Sequence, residues 1–143
     1  MKMLTDNIQS DMSTKVSEAF AAFPDSARNR LMELRTLIFQ VAQSTEGVGP
    51  LLEDLRWGEP AYLTTTCKSG STIRLGFDKA SNNCAIYFIC NTNLVDQFRQ
   101  MFPQVLLFSK NRAILVPIEG ELPRDAIGIC LAMALTYHQK SKN

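Results

Sequence analysis

The sequence lacks most of the features that announce a function. Among 143 residues there is one tryptophan and one histidine, His138. No apolar run is long enough for a membrane. The longest, Ala126 to Leu135, is ten residues with Gly128 included, far short of the ~20 a spanning helix needs. Met1 to Ser10 carries one lysine and no apolar run, so it does not read as a secretory signal. Charge of one sign is missing too: fifteen Lys plus Arg oppose fourteen Asp plus Glu, for a net +1. A dedicated duplex binder draws its affinity from a basic excess, so no nucleic-acid partner is expected from overall charge. The acidic excess of a high-capacity cation binder is absent as well.

Enzyme signatures are absent in the same way. There is no glycine-rich phosphate loop, no HExxH and no GxSxG. Any nucleophile–histidine pairing would have to use His138, expected at the C-terminus of a helix, where the macrodipole favours the protonated ring. A surface position is expected for it. The four cysteines, Cys67, Cys84, Cys90 and Cys130, show no CxxC spacing, and one histidine leaves a zinc site short of soft ligands. Reduced structural thiols in a cytoplasmic protein are the expectation.

What remains is the material of one ordinary domain. The chain is 45% hydrophobic and 20% charged. A chain of this size buries roughly two thirds of the surface its unfolded form exposes, enough for one core. Residues 1–12 are polar and without period, and are expected to form a flexible leader to a single domain over 13–140. Ser13 or Thr14 can cap a first helix, with Val16, Ala19, Phe20 and Phe23 at helical spacing. Pro24 breaks it. Asp25 and Ser26 open a longer helix to about Gln43, whose stripe of Leu31, Leu34, Leu37, Ile38 and Val41 faces a core. Arg28, Arg30 and Arg35 lie off that stripe and are expected in solvent.

After the break at Gly47-Val48-Gly49-Pro50, Leu51 to Leu55 reads as a short helical turn. Arg56 to Tyr62 reads as a turn carrying two large aromatics. Strands follow at Tyr62–Thr66, at Thr72–Phe77, where Ile73, Leu75 and Phe77 alternate with Thr72, Arg74 and Gly76, and at Cys84–Cys90. The last is apolar at every position and is expected to be central and covered on both sides, or covered on one and paired in a dimer. Asn91 or Thr92 caps a helix over Leu94–Met101, which Pro103 ends. Val105–Ser109 and Ala113–Val116 are short strands about the turn Lys110-Asn111-Arg112. Pro123 opens a final helix to about His138. Strands joined by short polar turns pair antiparallel. The fold class is therefore α+β: a single antiparallel sheet of about five strands, with N- and C-terminal helices layered on one face.

Four residues stand out as candidate ligand contacts: Glu53, Trp57, Glu59 and Tyr62. Trp57 and Tyr62 flank a rigid Gly-x-Pro turn, where they either wall a pocket with their polar tips or cap one end of the core. Glu53 and Glu59 flank the same turn, and Glu53 can brace it by accepting from backbone amides. A second arrangement is conditional. If Lys68, Arg74, Lys110, Arg112 and Arg124 converged on one sheet face with Tyr87 or Phe108, they could hold single-stranded nucleic acid by charge and stacking. A scattered, solvated set is the simpler expectation.

The stretch Glu53-Asp54-Leu55-Arg56-Trp57-Gly58-Glu59-Pro60-Ala61-Tyr62 resembles the signature of the YdhG-like family of small bacterial domains of unknown function. That signature has an acid four before an aromatic, then Gly, a variable position, Pro, and an aromatic two beyond. The leading helix pair, the later hairpin, the Leu122-Pro123 step and the closing Ala134-Leu135-Thr136-Tyr137 agree with its layout, so the resemblance spans about Val16 to His138. It implies a frataxin-like α+β fold. Some relatives are regarded as frataxin-like intracellular iron chaperones, and iron enters only by that route, since the residues themselves point to no cofactor. In frataxins the acids line the first helix and the first strand edge. Here the first helices carry Glu18, Asp25 and Glu33 among Lys15, Arg28, Arg30 and Arg35, and the first expected strand carries none. The expected function is a non-enzymatic cytoplasmic binding module whose partner is a small molecule or a protein, acting as monomer or homodimer. The alternative is a small-molecule-binding protein or enzyme with its pocket at the Trp57–Tyr62 turn.

Overall fold

The structure, a computed structural model, describes residues 12–139. The expected leader lies, but for Met12, outside the described residues. Helix α1, Thr14–Ala21, starts at Ser13, whose hydroxyl accepts from the Val16 amide at 3.3 Å. Pro24 separates it from α2, Asp25–Ser44, with an acid in the first turn where the helix dipole favours one. The stripe on α2 behaves as its spacing predicts: Leu31, Leu34, Leu37 and Ile38 are buried, and Val41 packs at the core edge. The strands are β1 Leu52–Arg56, β2 Glu59–Leu63, β3 Ile73–Asp78, β4 Asn83–Phe88, β5 Leu107–Ser109 and β6 Ala113–Val116. Helix α3, Leu94–Met101, lies between β4 and β5, and α4, Arg124–Leu135, follows β6.

All six strands form one antiparallel sheet in the order β1-β2-β3-β4-β6-β5. The sixth strand is the one expected as a helical turn. Leu51, Leu52 and Leu55 have helical spacing, but a two-residue loop at Trp57-Gly58 folds this segment onto β2, with Leu52 opposite Leu63 and Arg56 opposite Glu59. Both loop residues are left-handed, φ +54° and +78°, as a type I′ hairpin turn requires. The strand expected at Tyr62–Thr66 accordingly begins earlier, at Glu59.

The helices share one face of the sheet. Ile73, Leu75, Ile86, Phe88, Ile114 and Tyr62 join Val16, Phe20, Leu31, Leu34, Ile38, Phe98, Ile127 and Leu131 in a single core. Helices cover strand β4 on one side, so of its two expected settings, cover on both sides is not the one found. Cys84, Ile86 and Phe88 face the helices, whereas Ala85 and Tyr87 alternate to the other face, Tyr87 is half-buried, and Cys90 is past the strand and exposed. The thiols divide likewise: Cys84 and Cys130 are buried, Cys67 and Cys90 exposed, all free. Burial pushes Cys84 up to about 11 and Cys130 up to about 12.

Two expected surface arginines are in fact buried. The Arg30 guanidinium reaches the Ile118 and Gly120 carbonyls at 3.2 and 2.5 Å, and Arg35 is engaged as described below. Arg28 is half-buried, folded back onto the Phe20, Ala21 and Phe23 carbonyls that end α1. Long aliphatic stems let such residues cross apolar ground while the head finds acceptors. Helix α4 stops at Leu135, short of His138. Its open carbonyls are taken by the β2–β3 loop, with Ser71 N–H donating to Ala134 O at 2.8 Å and the Ser69 hydroxyl to Leu135 O at 2.7 Å. Gly70 permits that approach, because a Cβ there would come within 2.6 Å of the Leu135 backbone.

Candidate functional site

The β1–β2 hairpin carries all four candidate residues, and strand alternation sends them to opposite faces. Glu53 and Tyr62 are direct cross-strand partners and point to the helix side. Arg35 comes down from α2 to meet them. Its Nε donates to Glu53 Oε2 at 2.5 Å and a terminal nitrogen to Oε1 at 2.9 Å, while the Tyr62 hydroxyl donates to Oε2 at 2.8 Å. Glu53 thus braces side chains, not the backbone amides of the turn. The Arg35 side chain is 1% exposed and that of Glu53 8%. Phe39 lies across the set, edge-on to Tyr62 at 5.7 Å and 5.0 Å from the Arg35 guanidinium. Burial alone would lower Arg35, but the hydrogen bonds and charge of Glu53 outweigh it and hold the guanidinium above its usual value. Burial first, then the neighbouring Glu53 charge, raises Tyr62 well above an ordinary phenol, so it stays a donor.

This network floors a groove of about 750 Å³ between α2 and the segment 45–53. Phe39, Ala42, Pro50 and Leu51 supply apolar wall, and Gln43 and Glu46 supply polar rim. The volume falls within the range of small-molecule sites.

Trp57 and Glu59 belong to the other face. Trp57 is 85% exposed at the hairpin tip. It is neither a core cap nor a pocket wall, because a two-residue loop lifts it clear of the sheet. Glu59 pairs with Arg74 across β2 and β3. The Arg74 guanidinium lies 5.0 Å from the Trp57 ring and 5.1 Å from the Tyr87 ring, and Arg112 lies 5.2 Å from Tyr87. Beneath them the sheet is paved with small residues: Ala61, Gly76, Ala85 and Ala113 are all buried. A Cβ on Gly76 would come within 2.6 Å of Glu59 Oε2 and 2.8 Å of Tyr87 Cε2, so the glycine makes the space the charged set occupies. Burial raises Glu59 above an ordinary glutamate, against the pull of Arg74 and Arg112.

Of the five basic residues singled out in the sequence, the structure brings Arg74 and Arg112 together on Tyr87. Arg124 pairs instead with Glu33 on α2 at 3.4 Å. Phe108 is opposite Ile114 in the register and so faces the helices, under Arg99. His138 is exposed, edge-on to Tyr137 at 5.0 Å. The residue that sequence reasoning missed is Arg35, whose one signal is its four-residue spacing from Phe39 along α2.

No family model matches the sequence, and no curated protein sequence does. A structural match does exist: the crystal structure of YdhG, a DUF1801-family protein from Bacillus subtilis, superposes with a TM-score of 0.63 at 16% identity, covering 85% of this chain and 89% of that one. The Glu53–Tyr62 signature and the backbone therefore point the same way, and the chain has the fold of that YdhG protein.

Proposed function

We propose that this protein is a non-enzymatic binding module whose ligand is a small molecule with an apolar body and a hydrogen-bond-donating head, held in the groove above Arg35 and Glu53. The observation that carries this reading is the groove itself: a large concavity with an aromatic and aliphatic wall ending on a buried, oriented charge pair. Two carboxylates, Glu46 and Glu53, against one arginine make its lining net acidic, which favours a donor over an anion. The non-enzymatic part rests on engagement. The Glu53 oxygens already accept three hydrogen bonds, which leaves the floor little freedom to move a proton. Four free thiols suit the reducing cytoplasm as its place of work. The iron reading draws no support from the described residues, where no three His, Cys, Asp or Glu side chains gather as a metal site. Asp25 is also tied to Arg28, and Glu33 to Arg30.

The test is a fragment screen by amide chemical-shift perturbation, on the wild type and on Gln43→Trp, an exposed position whose enlargement fills the groove. Amines and amides on apolar rings are expected to shift Phe39, Gly47, Leu51 and Glu53, and to stop doing so in the variant. Shifts that map elsewhere, or that survive Gln43→Trp unchanged, overturn the reading.

A further inference from the structure

We propose that the helix-free face of the sheet binds single-stranded nucleic acid, a base stacking on Trp57 and the phosphates following Arg74 and Arg112 across β3, β4 and β6. This is independent of the groove, which lies on the other side of the sheet. Three observations converge on it. The first is the placement of the only tryptophan. An indole at 85% exposure on a residue of φ +54° has given up both burial and an easy backbone. A bulky residue is disfavoured in the left-handed region, and strain of this kind concentrates where function holds it. One ring face rests on Arg74, and the rest of the indole is open to solvent.

The second is the order of groups. Ala61, Arg74, Tyr87 and Ala113 lie side by side across β2, β3, β4 and β6. Arg74 fills the space between Trp57 and Tyr87, and Arg112 covers Tyr87 in turn. Aromatic rings and guanidinium groups alternate over a floor of alanine and glycine, which is the composition of a stacking platform for unpaired bases. From β2 to β6 the platform measures about 14 Å at the usual strand spacing. That is room for roughly four nucleotides at about 3.4 Å each.

The third is charge. Glu59 pairs with Arg74 and its charge also reaches Arg112, but Arg112 makes no ion pair among the described residues, and Lys110 in the same turn makes none either. A phosphate chain would pair these cations. A second copy of the same face would instead bury an unpaired guanidinium, which is costly. The exposed leucines that might seed such a dimer, Leu52 on β1 and Leu107 on β5, stand on opposite edges of the sheet, about 24 Å apart, and form no common patch.

The sole tryptophan reports on its own site. A short oligothymidylate at low salt is expected to quench Trp57 fluorescence and, when labelled, to gain anisotropy with a micromolar dissociation constant. Affinity should fall by on the order of tenfold or more in Trp57→Ala, from lost stacking, and in Arg112→Glu, and it should weaken as salt rises. Both side chains are exposed, and an unchanged circular dichroism spectrum confirms that each variant folds. No anisotropy change at low salt overturns the proposal, as does binding indifferent to both substitutions. A mononucleotide that competes as well as the strand overturns it in favour of a nucleotide site. Sedimentation showing a dimer that Trp57→Ala dissociates, with no oligonucleotide bound, overturns it in favour of a second copy.

Discussion

The β1–β2 hairpin holds two glutamates six residues apart, each paired with an arginine and each beside an aromatic ring, yet the two pairs are physically unlike. On the helix side, Arg35 and Glu53 meet at 1% and 8% side-chain exposure, with Tyr62 completing the carboxylate's shell. On the open side, Arg74 and Glu59 meet at 14% and 28%, between two rings that water still reaches. The same chemistry therefore does different work. Inside, the pair fixes α2 over the hairpin and shapes a groove. Outside, it holds a guanidinium between two aromatic rings, 5.0 and 5.1 Å from their centres, and leaves the surface available.

The largest expected effect tests that contrast directly. Removing one partner of a buried pair strands a charge, at a cost of about 3–5 kcal/mol, so Arg35→Ala should destabilise the protein by that much in denaturant unfolding. The matching outer change, Glu59→Ala, should cost less, about 1 kcal/mol, because this half-buried pair still reaches water. Replacing the whole inner set, Arg35→Met with Glu53→Leu and Tyr62→Phe, should recover most of the loss, because apolar groups of similar volume leave no buried charge or hydroxyl without a partner. Equal losses from Arg35→Ala and Glu59→Ala would mean that burial does not separate the pairs.

The division between the faces was half legible in the sequence. The motif from Glu53 to Tyr62 marked a turn but not the hairpin it belongs to, while the stripe on α2, the alternation of β3 and the span of α3 were readable because local period and tertiary placement agree there. Strand β1 was not, since Leu51, Leu52 and Leu55 fit a helical turn and only pairing with β2 makes them extended. The rest depends on that one strand. With β1 as a strand, alternation alone places Glu53 and Tyr62 on one face and Glu59 on the other. Arg30 and Arg35 were misplaced for another reason. Their hydrogen-bond partners, the Ile118 and Gly120 carbonyls and the Glu53 carboxylate, are remote in sequence, and an arginine is buried only where such partners await it.

A smaller effect sharpens the comparison through pH, because two acids of this hairpin are displaced in opposite directions. The hydrogen bond from Lys15, at 2.7 Å, together with the Leu55 amide, holds Asp54 down at about 2. Its stabilising contribution is present above the ordinary aspartate value of about 3.9 and is lost as pH falls towards about 2. Glu59, raised by burial, has the opposite sign. Its protonated form is favoured by the fold, so that contribution is full below about 4.3 and is lost as pH rises past the folded value. Melting temperatures of Lys15→Ala should therefore fall below wild type near neutrality and converge with it near pH ~2. Glu59→Gln should gain on wild type as pH rises. A Lys15→Ala deficit that persists undiminished in acid would show that lysine to stabilise by packing rather than by charge.

The smallest expected effect concerns the hairpin tip that joins the two faces. Trp57→Ala removes an exposed cation–π contact with Arg74, worth ~0.5–1 kcal/mol at such sites, and creates no cavity because the ring is not packed in the core. It should therefore cost no more than about 1 kcal/mol, where a core indole would cost ~3–5. Trp57→Asn loses the same contact but places in the first loop position the residue that best tolerates φ +54° ahead of a left-handed Gly58. Asn at this position should hence be more stable than Ala by several tenths of a kcal/mol, since single left-handed residues of this kind are routinely asparagine. Because both variants lack the ring, their difference isolates the backbone term from the contact with Arg74. A Trp57→Asn protein no more stable than Trp57→Ala would mean that the tip is relaxed with any side chain, and that the exposed indole is held there without backbone cost.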